Sequence, residues 1–395
     1  MFGRRRWRFN ASSVSASILR GSLKYAIFMG IICFSVKRNG SKGPLVAKNR
    51  KFYTWFCMIS RTLICGLYCI LIYNFIYTIN ISQLRFIVVS RFFICVVCAI
   101  STLMMQFSYG HIIVDVVNRF LRLFQRINAL PGCHDMGYGD KWVLVLLLVK
   151  VIGLAYELCY LIPLLFFEYS SVVAVSVFCD LYNTANVYII LHTYFVAYLS
   201  IGIAYEQINS YIRHELRRDL SEVNSRPGIP ISQRKLKTVG HCLNECLAIY
   251  EEIHKVGKVF HELFDFLLCI IVLFGFLSLA SIAFFVMLNL YNGIRLLILA
   301  IKILLDILLL TIAVHIASSN SRVIRLLSFE NYYVSESKDW HMKLEMFLSR
   351  LNYNEFRVRP LGLFEVSNEM ILVFMSGLVT YLTYIIQYDM KTNPT

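Results

Sequence analysis

Seven apolar runs, each long enough to cross a lipid bilayer as a helix, constrain this chain more than any other feature. They fall at 56–79, 86–107, 142–167, 172–201, 263–288, 294–317 and 368–388. A spanning helix needs roughly 20 apolar residues, and it must satisfy its own backbone N–H and C=O groups because lipid offers them no partner. The composition agrees: 58% of the 395 residues are apolar and only 16% are charged, where a soluble domain carries about 25% charged residues. A soluble enzyme is excluded. So is a membrane protein with a large ectodomain, because no long polar stretch remains once the inner connections are assigned.

A further apolar run at 23–36 is too short to span and has bases on both sides, so it reads as an interfacial or buried segment. It ends Cys33-Phe34-Ser35-Val36-Lys37, without the small-x-small cleavage site of a signal peptide.

The net charge of +15 would point to nucleic acid if it lay on one soluble basic face. It does not. Twelve Lys or Arg residues and no acid precede position 52, the first acid in the chain being Asp115. The connections 108–141, 202–262 and 318–367 hold four, nine and seven more, while the alternate connections and the C-terminus hold only Arg85, Arg295 and Lys391. Basic residues stay on the cytoplasmic side, so the N-terminus is expected inside and the C-terminus outside. The fold class is therefore an all-α membrane protein of seven transmembrane helices with a cytoplasmic helical anchor region. Its expected parts are a basic N-terminus at 1–55, four helices in 56–201, a cytoplasmic helical connection at 202–262, two helices in 263–317, a second connection at 318–367, the last helix at 368–388 and an extracellular tail at 389–395. The basic N-terminus also suits contact with anionic lipid of the inner leaflet.

The inner connections are themselves patterned. Val239, Leu243, Cys246, Tyr250, Ile253, Gly257, Phe260 and Phe264 follow a 4-3-4-3 spacing, a helix seam that runs straight into the fifth span. Trp340, Leu344, Phe347 and Leu351 repeat it before the seventh, and the fourth span continues through Glu206 towards Arg218. The spacing alone leaves open whether the seam packs within the chain or between copies.

Several motifs resemble chemistry and lose the resemblance on inspection. Cys95 and Cys98 lie inside the second span with no second pair or His beside them, and the seam explains Cys246 better than a zinc cluster with His241, Cys242 and Glu245 does. His214-Glu215 and His261-Glu262 lack the second His that a metalloprotease helix needs, those positions being Arg218 and Asp265. Gly137-Tyr138-Gly139-Asp140 copies part of a potassium filter, yet it sits in a cytoplasmic turn. Neither metal nor cofactor is expected.

Charges at membrane depth are costly unless paired or wet. Arg61 is expected to snorkel inward, and Lys302 with Asp306, four residues apart, to pair along one helix face. Glu157 and Asp180 fall in the outer halves of spans three and four among Tyr156, Tyr160, Tyr182, Asn183 and Asn186. These seven residues are a candidate aromatic ligand pocket with one or two carboxylates, the competing reading being a structural pairing of Glu157 with Lys150.

The last span carries the most specific pattern. Ser376, Thr380, Thr383 with Tyr384, and Gln387 recur on one helix face. Such a stripe must meet protein or water; one helix cannot enclose a pore, but several copies around an axis can.

Thr380-Tyr381, five residues, then Gln387-Tyr388 resembles the Thr-Tyr, five apolar, Gln-Phe signature that closes insect gustatory receptors, relatives of the insect odorant receptors. Arg359-Pro360-Leu361-Gly362-Leu363-Phe364-Glu365 is similar to that family's approach to its last helix. Tyr388 departs from the pattern by adding a hydroxyl. The resemblance implies a ligand-gated cation channel of four homomeric or heteromeric gustatory receptor subunits in the plasma membrane of taste-neuron dendrites, opened by small-molecule tastants. It places Gln387 and Tyr388 at the gate and the ligand pocket among spans two to six. An aromatic pocket edged by carboxylate suits cationic bitter compounds; pheromone, sugar or carbon dioxide are the alternatives within the family. A G-protein-coupled chemoreceptor is the alternative outside it, opposed by the inverted charge bias and the missing Asp-Arg-Tyr and Asn-Pro-x-x-Tyr motifs. A transporter would need Gly/Pro-interrupted spans in matching halves.

The charge distribution makes a direct prediction. An epitope fused after Thr395 is expected to label on unpermeabilised cells and one fused before Met1 only after permeabilisation; the reverse pattern contradicts the assigned topology.

Overall fold

The computed structural model describes residues 11–38, 44–78, 82–130, 138–165, 171–219, 233–287, 293–322, 342, 345–347, 349 and 356–392. The chain is a bundle of α1 (Ala11–Phe28), α2 (Lys51–Thr78), α3 (Ser82–Ser108), α4 (Gly110–Asn128), α5 (Lys141–Leu165), α6 (Ser171–Tyr211), α7 (Gln233–Met287), α8 (Gly293–Arg322) and α9 (Asn368–Thr392). A two-stranded antiparallel hairpin, β1 (Phe34–Arg38) and β2 (Leu45–Asn49), pairs Val36 with Ala47. Five of the helices contain stretches long and apolar enough to cross a membrane, within α2, α3, α6, α7 and α8. The third and seventh apolar runs of the sequence correspond to α5 and α9.

α7 has 55 residues, which at 1.5 Å per residue makes it roughly 80 Å long, against about 30 Å of hydrocarbon. The helix therefore carries a membrane segment and a projecting polar segment without a break. The seam residues Val239, Leu243, Cys246, Tyr250 and Ile253 are buried in the chain's own core, where α7 packs on α3, α4 and α6. The 4-3-4-3 spacing is thus an intrachain seam. Of the matching set before the last span only Phe347 has a described side chain, and it is buried; Trp340, Leu344 and Leu351 lie outside the described residues.

Two elements went unread in the sequence. α4 buries Val116, Leu123 and Ile127 along one face and is strongly amphipathic, so it lies against the bundle as a surface helix. Its Asn118 amide clamps the hairpin, accepting from Ala47 N–H at 2.7 Å and donating to Ala47 C=O at 3.1 Å. The Gly-rich turn behaves as a cap: Gly139 has φ +70° and Asp140 Oδ1 accepts from Val143 N–H at 3.1 Å at the start of α5. Tyr138 hydrogen-bonds Ser200 on α6 through its hydroxyl.

α6 and α8 pack closely against each other. A Cβ on Gly202 would lie 2.8 Å from Ile316 Cγ2 and 3.1 Å from Ala317 N, so only glycine permits the approach. The crossing is stitched by Asn209 Nδ2 donating to Asn320 C=O at 2.7 Å and Asn320 Nδ2 donating to Gly202 C=O at 3.1 Å. By contrast, α2 and α3 turn Trp55, Phe56, Ile59, Leu63 and Ile70, and Phe86, Phe93, Ile100, Met104 and Phe107, outward. A soluble protein rarely exposes so continuous an apolar surface; lipid covers it.

The buried charges add a partner to one expected pair and correct one expectation. Lys302 and Asp306 do pair, at 2.8 Å, and Lys150 from α5 also bonds Asp306 across the bundle; the side chain of Glu157 lies outside the described residues. Lys302 Nζ further sits 3.4 Å from the centre of the Tyr188 ring on α6. Three helices are tied at one buried point. Arg61 does not snorkel: it is 2% exposed and turns inward, with Nη2 donating to Asn186 Oδ1 on α6 at 3.4 Å.

Removing one member of a buried ion network leaves an uncompensated charge, at a cost of about 3–5 kcal/mol, whereas replacing the whole group with apolar residues of similar volume is often neutral. Asp306→Ala is expected to abolish monodisperse protein in detergent, and the triple variant Lys150→Met, Lys302→Met, Asp306→Leu to recover it. An Asp306→Ala protein as thermally stable as the wild type would contradict this role.

Candidate functional site

Two polar regions stand out. The first is the free face of α9. Met370, Phe374, Gly377, Leu378 and Tyr381 turn towards the chain, with the Phe374 ring edge-on to Phe276 of α7 at 5.6 Å. Ser376, Thr380, Thr383, Tyr384 and Gln387 are all exposed, beside the equally exposed Leu372, Val373, Met375 and Val379. Thr380 and Thr383 donate their hydroxyls to the C=O of Ser376 and Val379, both at 2.9 Å. Among the described residues, the stripe makes no hydrogen bond to another helix. Gln387 keeps an exposed amide; the side chain of Tyr388 lies outside the described residues.

α9 is entered through a built joint. Phe356, 2% exposed, sits on Gly257 of α7, where a Cβ would come within 2.7 Å of the ring. Val366 N–H then donates to Val358 C=O at 3.0 Å and closes a loop around the turn Pro360–Gly362. Leu361 holds φ +51° there, a left-handed conformation that a branched side chain rarely adopts. It is held by Asp265 Oδ2, which accepts from Leu361 N–H at 2.8 Å, while His261 Nε2 accepts from Arg359 N–H at 3.2 Å. The Arg359 guanidinium reaches Glu365 at 2.8 Å. The sequence singled out residues 359 to 365, but nothing local marked His261 and Asp265 as their partners. Their spacing, one turn apart on α7, was the only signal.

The second region surrounds Asp180 on α6. Tyr68 of α2 donates to Asp180 Oδ1 at 2.6 Å, and Arg91 of α3 approaches Oδ2 at 3.6 Å while donating to Thr184 at 3.2 Å. Tyr182 is half-buried and stacked on Phe178, ring centres 6.4 Å apart. Asn183 and Asn186 are buried, their amides donating to the C=O of Cys179 and Tyr182, each at 2.9 Å. Tyr156 is half-buried on α5. Asp180, Tyr182, Asn183 and Asn186 lie within two turns of α6, with Asp180 turned to Tyr68 and Arg91 and Asn186 to Arg61; the side chains of Glu157 and Tyr160 lie outside the described residues. Tyr68, Arg91 and Thr184 were missed. Arg91 carried a signal, because a base at membrane depth without an acid one turn away needs a partner on another helix.

With this geometry in view, comparison with known proteins is decisive. The family described as 7tm Chemosensory receptor matches residues 19–392. The chain belongs to this family. Within it, the chain is 38% identical to gustatory receptor 93c of Drosophila melanogaster over 384 residues, 96% of this chain and 97% of that one. It is 37% identical to gustatory receptor 93b of the same species over 389 residues, 97% and 96% of the two chains. A protein named as a gustatory receptor for bitter taste, 93a, is 24% identical over 69% of this chain and 68% of its own length. Among solved structures, the olfactory receptor OR5 of the insect Machilis hrabei superposes with a TM-score of 0.56 at 15% identity, covering 94% of this chain and 98% of that one. A second structure of that receptor, in complex with eugenol, gives the same TM-score at 13% identity over 95% and 99%. The gustatory receptor resemblance read from the last span is thus correct, and this membrane protein belongs to a receptor family, not an enzyme family.

Proposed function

We propose that the chain is one subunit of a ligand-gated cation channel in which α9 lines a central pore. The observation that carries this reading is the exposed stripe of Ser376, Thr380, Thr383, Tyr384 and Gln387 on the side of α9 turned away from its own chain. The Thr380 and Thr383 hydroxyls bond carbonyls of their own helix, but lipid gives the Gln387 amide nothing to bond, so this face is best satisfied by water or by copies of itself. Four copies around an axis, homomeric or mixed with other gustatory receptor subunits, satisfy it with a polar conduit, and a ring of Gln387 amides beside Tyr388 forms the gate. The chain then crosses the membrane seven times, with its N-terminus inside, its C-terminus outside and the two long connections forming a cytoplasmic helical anchor.

Small-molecule tastants bind around Tyr156, Glu157, Tyr160, Asp180, Tyr182, Asn183 and Asn186. A cationic ligand there competes with Arg91 for Asp180, and binding opens the pore only to the extent that the open arrangement binds it more tightly. The relative named for bitter taste supports bitter compounds as the stimulus, and the family supports the plasma membrane of gustatory neuron dendrites as the location. The joint at Pro360–Gly362, held by α7, gives ligand-driven movement of the bundle a rigid handle on α9.

Cysteine substitution tests the pore. Thr380→Cys and Thr383→Cys subunits are expected to react with water-soluble thiol reagents and to change ligand-evoked current, while Leu378→Cys, packed inward, stays silent. Gln387→Ala is expected to change ion selectivity or basal leak without shifting ligand sensitivity. Normal currents and selectivity in both Gln387→Ala and Tyr388→Ala subunits would refute the gate assignment.

A further inference from the structure

A further site borders the Asp180 region on its Asn183 and Asn186 side, where the loop before β1 meets the C-terminal end of α3, the middle of α7 and the start of α4. A partly open cavity of about 140 Å³ is walled there by Ile32, Phe34, Ile113, Val114, Phe264 and Leu267. An apolar cavity of about 150 Å³ accepts a benzene-sized molecule. The wall is not wholly apolar. Gln106 donates through Nε2 to Gly30 C=O at 2.6 Å and to Ile31 C=O at 3.1 Å, which fixes the amide, while its Oε1 is buried without a hydrogen-bond partner among the described residues.

Beside this cavity is a void of about 10 Å³ bounded by Arg61, Asn183 and Asn186, and the two share Thr102 and Ile190 as wall residues. Arg61 is 2% exposed, and its Nε and Nη1 have no hydrogen-bond partner among the described residues. Its one described bond is the 3.4 Å contact of Nη2 with the neutral Asn186. A void of this size holds at most about one water, and water brings no charge. A buried guanidinium in low dielectric calls for an anion. Cys33 also lines the cavity, but burial pushes its thiol up to about 12, which leaves it protonated and a poor nucleophile.

We propose that the cavity and Arg61 form one binding site for a small apolar acid, with a benzene-sized body between the loop, α4 and α7 and a carboxylate accepting from the unpartnered N–H groups of Arg61. Recognition by a buried cation that lacks an anion among the described residues sets this site apart from Asp180, whose carboxylate already holds Tyr68 and Arg91. The proposal stands on the cavity and on Arg61 and does not depend on the channel reading.

Fluorine NMR on the purified full-length protein in lipid nanodiscs tests it with three probes of one size: 4-fluorobenzoate, 4-fluorotoluene and 4-fluorobenzylamine. Benzoate is expected to bind saturably, one per chain, and at least tenfold more tightly than the amine. Arg61→Met is expected to weaken benzoate at least tenfold and leave toluene unchanged, whereas Ile113→Trp, which fills the cavity, weakens both. Should Arg61→Met fail to fold, Thr102→Phe, which blocks the shared wall and keeps Arg61, carries the same expectation for benzoate. Equal affinity for the amine, no saturable binding of any probe, or full benzoate binding by Ile113→Trp would overturn the proposal. So would a chloride-dependent rise in thermal stability, lost in Arg61→Met, without benzoate binding, since an inorganic ion alone would then occupy Arg61.

Discussion

The bond of Lys150 and Lys302 to one buried carboxylate, Asp306, organises the membrane part of this receptor. Inside a bilayer there is no hydrophobic force to drive helices together, because lipid tails are as apolar as leucine. Shape complementarity and polar contacts must therefore set which helices meet. Asp306 and its lysines join α5 to α8, and the Tyr188 ring against Lys302 brings in α6. Gly202 and the Asn209 and Asn320 amides then fix α6 against α8 at a distance no larger residue would allow. The α6 and α8 pair becomes the spine on which α7 packs.

α9 stands outside that spine. One face rests on α7 and α8 and its entry turn is clamped by Asp265 and His261, while its polar residues are exposed among the described residues. A helix firmly attached at its base, with an exposed polar stripe ending in the Gln387 amide, calls for a further partner or for water. The strained Leu361 fits this picture, since such a backbone persists only where its surroundings hold it. The anchoring that keeps α9 in place also passes any shift of α7 to it.

Much of this was legible in the sequence, for identifiable reasons. The continuity of the seam from Val239 into the fifth apolar run appeared because helical periodicity survives the change from water to lipid. The α9 stripe appeared because polar residues at 3.6 spacing have no use in lipid, and the closing Thr-Tyr and Gln-Tyr residues carried the family resemblance. The pairing of Lys302 with Asp306 is local, one turn apart, so spacing alone disclosed it. The bond of Lys150 to Asp306 was not legible, because that partner is 156 positions away. Arg61 was misread for the same reason: snorkelling is a local rule, and a contact with Asn186 on another helix overrides it. The hairpin and α4 were hidden within polar connections, although Val116, Leu123 and Ile127 already lay on one helical face.

The central claim is that the polar face of α9 is completed by other copies of the chain. Direct imaging of the purified full-length protein in lipid nanodiscs tests it. The account predicts four subunits around one axis, with Ser376, Thr380, Thr383 and Gln387 facing that axis across a water-filled path. Isolated subunits, or an assembly in which this face of α9 meets lipid while another helix lines the axis, would contradict it.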